Sequence, residues 1–344
     1  MNARNFALAC AAGLALAAGS LPGAARAETR LTLSNWVPPT HFVYKDILQP
    51  WIDAVAKATE GRVVISTLPK PVGSPPQHFE LARKGVADVT WGNFTYEPER
   101  FKTMWFAELP MMGANCEASS VALWRTYEKY LADNAAFKGV KMLGVGMLGG
   151  GQFNHPGKLV QSLEDLQGQK VRMGGPIQKR LIEALGAVPV SAPATKAYEM
   201  LEGGVIDASL HGLESVVNFR LDGKLKYHSI VPEGLYDGTF FIVMNQAKFN
   251  RISPADQQAI MKVSGEMLSR RWGQAFDQQS KAAEAKMRSE GHVFGQPDGP
   301  LLDKIRGVRG AMLKELQAEG PSFGVADVDS MVGFYEQQYA SLKP

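Results

Sequence analysis

Short apolar runs alternate with longer amphipathic stretches along most of this chain. Residues 31–35 predict a strand, 42–59 a helix that Gly61 stops, and 63–65 a second strand. After a proline-rich loop at 69–76, residues 77–84 predict a helix and 86–91 a strand. A helix near 118–133 then leads to an apolar strand over 141–147, broken by Gly149-Gly150-Gly151. The pattern restarts beyond the glycines: strands at 170–173, 188–190 and 205–210 are separated by helices at 177–185 and 196–202. Residues 240–244, Phe-Phe-Ile-Val-Met, have the bulky, β-branched composition of a buried strand. Strands alternating with helices predict an α/β architecture built from βαβ units, with largely parallel sheets. Two successive stretches of similar size predict two lobes. They are expected to comprise residues 28–149 with about 238–277, and 150–237 with about 278–344. The chain would cross between them at the triglycine and the loop 232–238.

One helix is expected to be much longer than the rest. Ser253-Pro254-Ala255-Asp256 has the form of a capping box with proline at the first helical position. Met261, Leu268, Trp272 and Phe276 then keep helical spacing on one face. A helix over about 254–290 would run roughly 50 Å at 1.5 Å per residue, enough to brace both lobes.

Composition narrows the function classes. The 344 residues are 45% hydrophobic and 21% charged, as in an ordinary globular protein. A formal charge of +3 supplies no strong field for nucleic acid or an acidic membrane surface. The N-terminus joins a positive start at Arg4, an apolar run over 6–19 and Ala25-Arg26-Ala27, the pattern of a cleaved secretory signal. The signal peptide is therefore expected to span 1–27, with the mature chain starting near Glu28 in the periplasm. Only Cys116 would remain after cleavage, so no intrachain disulfide is expected, and the thiol is expected to be packed rather than nucleophilic.

Catalytic motifs are scarce. The chain has no H-E-x-x-H and no C-x-x-C. His211 and Glu214 have an i, i+3 spacing compatible with a metal, but no third ligand stands out, and neither metal nor cofactor is expected. The triglycine lacks the ending of a phosphate loop. In α/β sheets ligands lie at the carboxyl ends of strands. Here those ends carry Trp36, Trp91, Asn93, Phe94, Gln152, Phe153, Arg172 and His211. Aromatic walls, amides and one cation suit an organic ligand with an anionic end.

The segment Asp165-Leu166-Gln167-Gly168-Gln169-Lys170-Val171-Arg172 resembles the D-L-x-G-x-K-[IV]-R signature of TRAP-transporter solute-binding proteins. Ala184-Leu185-Gly186-Ala187-Val188-Pro189-Val190, Tyr198 and the run from Leu201 to Asp207 continue the likeness, and Thr40-His41 and Glu60-Gly61-Arg62-Val63 extend it toward the start. The resemblance implies a two-lobed, Venus-flytrap periplasmic-binding-protein fold with a long helix bridging both lobes. It also implies a monomer that closes on an organic acid and hands it to a membrane permease. By position it makes Arg172 the group that pairs with the ligand carboxylate. Gln152 stands where sialic-acid-binding members carry a second arginine. His211 replaces an asparagine of the family pattern. With one cation fewer, a monocarboxylate with an apolar or aromatic body fits better than a dicarboxylate. Trp36, Trp91, Phe94 and Phe153 would enclose the body, with Gln152, His211, Asn93 and Glu214 as polar contacts. An exported hydrolase acting on carboxylated substrates, or a binding protein serving a sensor, are the alternatives.

Overall fold

The computed structural model describes residues 28–343, so the signal peptide expected at 1–27 lies outside the described residues. No described helix is long and apolar enough to cross a membrane. The strands in chain order are β1 (Thr29–Ser34), β2 (Val63–Thr67), β3 (Val89–Asn93), β4 (Val140–Met147), β5 (Gln152–His155) and β6 (Lys170–Met173). They are followed by β7 (Val188–Ser191), β8 (Ala208–His211), β9 (Tyr227–Ser229), β10 (Thr239–Asn245) and β11 (Val293–Gly295). They form two sheets, ordered β2-β1-β3-β10-β4 and β11-β9-β5-β8-β6-β7.

The sheets are mixed rather than largely parallel, and the reason lies in the crossings. β1 pairs parallel with β2 and β3, and β6 with β7 and β8. β10 is antiparallel to both β3 and β4, and β5 to both β8 and β9. β5 and β10 are the strands that arrive directly from the other sheet. Each starts at the cleft, where its neighbours end, so it must run the opposite way.

The two crossings, 148–151 and 230–238, are laced together. Gly151 N–H donates to the Tyr236 carbonyl (2.9 Å) and Leu235 N–H to the Gly151 carbonyl (3.0 Å). Asp237 Oδ1 accepts from the N–H groups of Leu148 (2.9 Å), Gly149 (3.1 Å) and Gly238 (2.7 Å), tying both strands to one carboxyl. The strands pass so closely that a Cβ on Gly234 would sit 2.6 Å from the Gly150 Cα. Both residues also have positive φ (87° and 89°), which glycine adopts without a steric penalty.

The long helix is shorter than its apolar spacing predicts. Ser253 does cap a helix, its Oγ accepting the Asp256 N–H, but that helix ends at Lys262. Gly265, at φ 61°, breaks the path, and the next helix runs Glu266–Ser289. Its 24 residues span about 36 Å. It still touches both halves, packing on the Cys116–Thr126 helix and β4 on one side and on the Leu213–Asn218 helix on the other. Asp277 from this helix accepts the N–H groups of Cys116 (2.9 Å) and Glu117 (3.0 Å), satisfying two orphan donors of the helix they open. Cys116 itself is buried, with its Sγ 3.2 Å from the Leu148 carbonyl.

Candidate functional site

A cavity lies between the cleft ends of the two sheets. Its volume is about 70 Å³, several-fold more than the roughly 10–15 Å³ that one water needs. The first sheet and its loops contribute Trp36, His41, Phe42, Trp91, Asn93, Tyr96 and Phe240. Arg172, Gln178, His211, Ser215 and Phe219 line it from the second sheet, Leu148 and Tyr236 from the crossings, and Phe276 from the long helix.

Arg172 on β6 is the electrostatic centre of the site. Only 4% of the residue is exposed. Its Nε donates to the Ala192 carbonyl (2.9 Å) and Nη1 to the Leu210 carbonyl (3.0 Å), which fixes the plane of the guanidinium. Among the described residues no Asp or Glu stands within ion-pair distance of it. Burial holds its pKa below the ordinary value, partly offset by Tyr96 and Tyr236. An arginine stays charged even so. A buried cation without a protein counter-charge favours an anion in the adjoining cavity, and a guanidinium fork matches a carboxylate.

His211 orients this centre. Its Nε2 is 3.2 Å from Arg172 Nη1 and its Nδ1 2.9 Å from Ser209 Oγ. Arginine can only donate, so Nε2 accepts and the proton is assigned to Nδ1. Burial first, and the Arg172 charge second, hold the His211 pKa well below its usual value. The ring is therefore a neutral strut beside the guanidinium.

The opposite wall is apolar. Trp36 and Trp91 stack with centroids 4.3 Å apart and planes at 22°. Their indole N–H groups are used inside the protein: Trp36 Nε1 donates to the Trp91 carbonyl (3.2 Å) and Trp91 Nε1 to Asn35 Oδ1 (3.0 Å). Phe240 and Phe276 pack on Trp272 behind them. What this wall offers a ligand is ring surface, suited to a flat apolar body.

The structure thus brings Arg172, His211, Asn93, Trp36 and Trp91 to one cavity and leaves four expected residues outside its lining. Gln152 is turned into the crossings: its Oε1 accepts the Val231 N–H (2.8 Å) and its Nε2 points to the Gly150 and Val231 carbonyls. Phe153, next on the antiparallel β5, is buried in the core. Phe94 sits in an aromatic cluster with Phe101, Phe137 and Phe241. Glu214 is buried beside the cavity, held by Ser215 Oγ (2.6 Å) and near Ser280 Oγ (3.4 Å). Burial pushes its carboxyl up to about 7, away from a role as a fixed charge. No group of three or more potential metal ligands is found among the described residues.

Sequence reasoning missed His41, Tyr96, Gln178, Phe219, Tyr236, Phe240 and Phe276 as lining residues. Tyr96 lies just past the β3 end and Tyr236 within the predicted crossing, so proximity to those landmarks was the available signal. Phe240 stands at the start of β10, and the others come from helices and distant loops that only tertiary packing collects.

Comparison with known proteins agrees with this architecture. A Bordetella bronchiseptica TRAP periplasmic solute-binding protein, solved with bound (R)- and (S)-mandelate, superposes with a TM-score of 0.88 at 34% identity, covering 92% of this chain and all of that one. A marine-metagenome TRAP solute-binding protein specific for aromatic acid ligands, solved with 3-hydroxybenzoate, gives 0.85 at 26% identity, again over 92% of this chain and all of its own. The Comamonas testosteroni protein named outer membrane transporter protein TsaT is 29% identical over 90% of this chain and 87% of its own length. The model of the DctP family of bacterial extracellular solute-binding proteins, family 7, matches residues 33–318. A two-sheet fold with a buried arginine facing an enclosed cleft and a match over nearly the whole described chain lead to one conclusion: this chain belongs to the DctP family, the solute-binding proteins of TRAP transporters, and is a receptor rather than an enzyme.

Proposed function

We propose that this chain is the exported receptor of a TRAP-type transporter and that it captures an aromatic monocarboxylate. The observation that carries the reading is Arg172: a buried guanidinium without an acidic protein partner, at the edge of a cavity walled by Trp36 and Trp91. Residue numbers 28–149 and 150–237, with the later segments, form the two lobes. The ligand's carboxylate is held by Arg172 on the second lobe and its ring by the indoles of the first. Because the contacts come from both lobes, ligand favours the closed arrangement and shifts the population toward it. A single cation in the lining disfavours a dicarboxylate, whose second charge would be buried unpaired. The likeness to the mandelate-bound and aromatic-acid-specific receptors supports the same ligand class. The family supports delivery to a membrane permease by a mature chain in the periplasm, released after cleavage near Ala27.

Calorimetric titration with benzoate, phenylacetate, mandelate and succinate tests this directly. The aromatic monocarboxylates are expected to bind and succinate to bind far more weakly. Tight binding of succinate with no response to the aromatic acids would overturn the reading.

A further inference from the structure

His41 is the polar cavity residue that this account leaves without a task. It stands in the loop between β1 and the helical segment that follows, is 8% exposed, and lines the cavity. Its Nδ1 accepts the Val43 N–H at 3.2 Å. In a neutral imidazole one nitrogen accepts and the other carries the proton, so this bond assigns the proton to Nε2. Burial pushes the ring pKa down to about 4, which keeps it neutral at physiological pH. Nε2 is itself buried and has no hydrogen-bond partner among the described residues. It is thus an orphan N–H donor, and buried donors in folded proteins are nearly always satisfied.

The surroundings say which part of a ligand could satisfy it. The ring packs against Phe42 (4.9 Å between centroids) and Phe219 (5.6 Å). Phe219 in turn lies 6.4 Å from His211, the neighbour of Arg172. Along this wall two rings therefore separate His41 from the guanidinium. A ligand whose carboxylate is held by Arg172 would meet His41 with its body rather than with its anionic end.

We propose that His41 is a specificity-determining residue whose Nε2–H takes an oxygen acceptor on the ring of the ligand, so that the receptor selects an oxygen-substituted aromatic carboxylate over the unsubstituted acid. The inference rests on the aromatic-monocarboxylate reading given above and narrows it. When the unsubstituted acid fills the cavity, the donor stays buried and unpaired, and that cost is subtracted from its affinity. A hydroxyl or carbonyl oxygen within reach removes the cost. Selection then comes from the penalty on the wrong ligand as much as from the bond to the right one.

The test uses the mature protein, native and His41→Phe, titrated calorimetrically with benzoate and each of the three hydroxybenzoate isomers. For the native protein at least one isomer is expected to bind about tenfold tighter than benzoate, the ratio corresponding to one satisfied buried donor. In His41→Phe that preference is expected to vanish, with benzoate binding unchanged or tighter because no donor is left unpaired. His41→Gln, which restores an N–H donor, is expected to recover part of the preference, and His41→Leu, which has no donor, replaces the phenylalanine protein if that does not fold. A native protein that binds benzoate and all three isomers equally, or a preference that survives in the donor-less variant, would overturn the role of His41 while leaving the aromatic-carboxylate reading intact. Failure of all four acids to bind the native protein overturns both.

Discussion

The two walls of the cavity solve different problems with different chemistry. On the second sheet Arg172 and His211 form a polar wall in which every orientation is set by hydrogen bonds to backbone or to Ser209. On the first, Trp36 and Trp91 form a wall whose polar atoms are turned inward and whose faces are hydrocarbon. The polar wall fixes charge and direction, whereas the indole wall supplies area. Neither wall encloses a ligand alone. In the proposed function, dividing one site between two halves joined by two laced crossings makes occupancy and closure the same event.

The sharpest way to break this comparison is to remove the charge. Arg172→Ala is expected to weaken binding of an aromatic monocarboxylate by about 2–5 kcal/mol, the range for losing one partner of a buried charge pair. Arg172→Lys, which keeps the charge but not the fork, should lose less. Without ligand, Arg172→Ala should lower the unfolding free energy by about 1–3 kcal/mol, because the buried carbonyls of Ala192 and Leu210 lose their donor while no buried acid is left unpaired. Normal affinity with a collapsed unfolding midpoint would make Arg172 a structural residue and dissolve the contrast between the walls.

Substituting the indoles one at a time separates area from architecture. Trp91 is buried and bonded to Asn35, so Trp91→Ala is expected to cost about 3–5 kcal/mol of stability as well as affinity. Trp36 is only partly buried, and Trp36→Ala should cost affinity by about 1–2 kcal/mol with a smaller loss of stability. Chemical denaturation beside ligand titration distinguishes the two. Equal stability losses would mean that Trp36 is as much core as Trp91.

Gln152 sharpens the comparison from the other side. Its side chain is engaged with Val231 across the crossings, so Gln152→Ala is expected to lower stability by about 1–2 kcal/mol. Ligand affinity should change less than about threefold, under 1 kcal/mol. A tenfold loss of affinity with stability unchanged would return Gln152 to the binding site.

The smallest effect is expected from pH on binding, against a visible one on folding. His41, held to about 4, and His211, held well below its usual value, are both neutral from pH 5 to 8, so the one modest fall in affinity for a carboxylate expected there is from Glu214, buried beside the cavity and raised to about 7. Burial raises Asp237, in the second crossing, to about 8 and Glu108 to about 7. Between their unfolded and folded pKa values such groups bind more protons in the folded chain. They therefore make stability fall as pH rises from 5 toward 8. Glu108→Gln should flatten that slope in thermal melts at fixed ionic strength, whereas an unaltered slope would mean the carboxyl is not protonated in the folded chain.

Much of the architecture was legible because it is local. Apart from β5, β9 and β11, strand positions followed from apolar runs, the helix start at Pro254 from its capping residues, and the crossing regions from glycine and the restart of the pattern. Arg172 was legible through a motif, since the charge sits at a strand end whose sequence surroundings are distinctive. The same local rules misread the 254–290 segment, because periodic apolar positions continue across a break made by the single backbone angle of Gly265.

By itself, then, the amino-acid order determined the α/β alternation, the two crossing regions and the position of the principal cation. Those features depend on period, composition and neighbours within a few residues. Only the tertiary structure decided which aromatic and polar side chains face the cleft. Trp91 lines the cavity while Phe94, three residues later, is buried among phenylalanines, and Gln152 turns into the crossings while His41 faces the cleft with a donor to spare. That choice depends on the direction in which β5 and β10 enter their sheets and on the helix laid across both. The antiparallel entry of a strand reverses which of its ends meets the ligand, and no short-range pattern in the chain records that reversal.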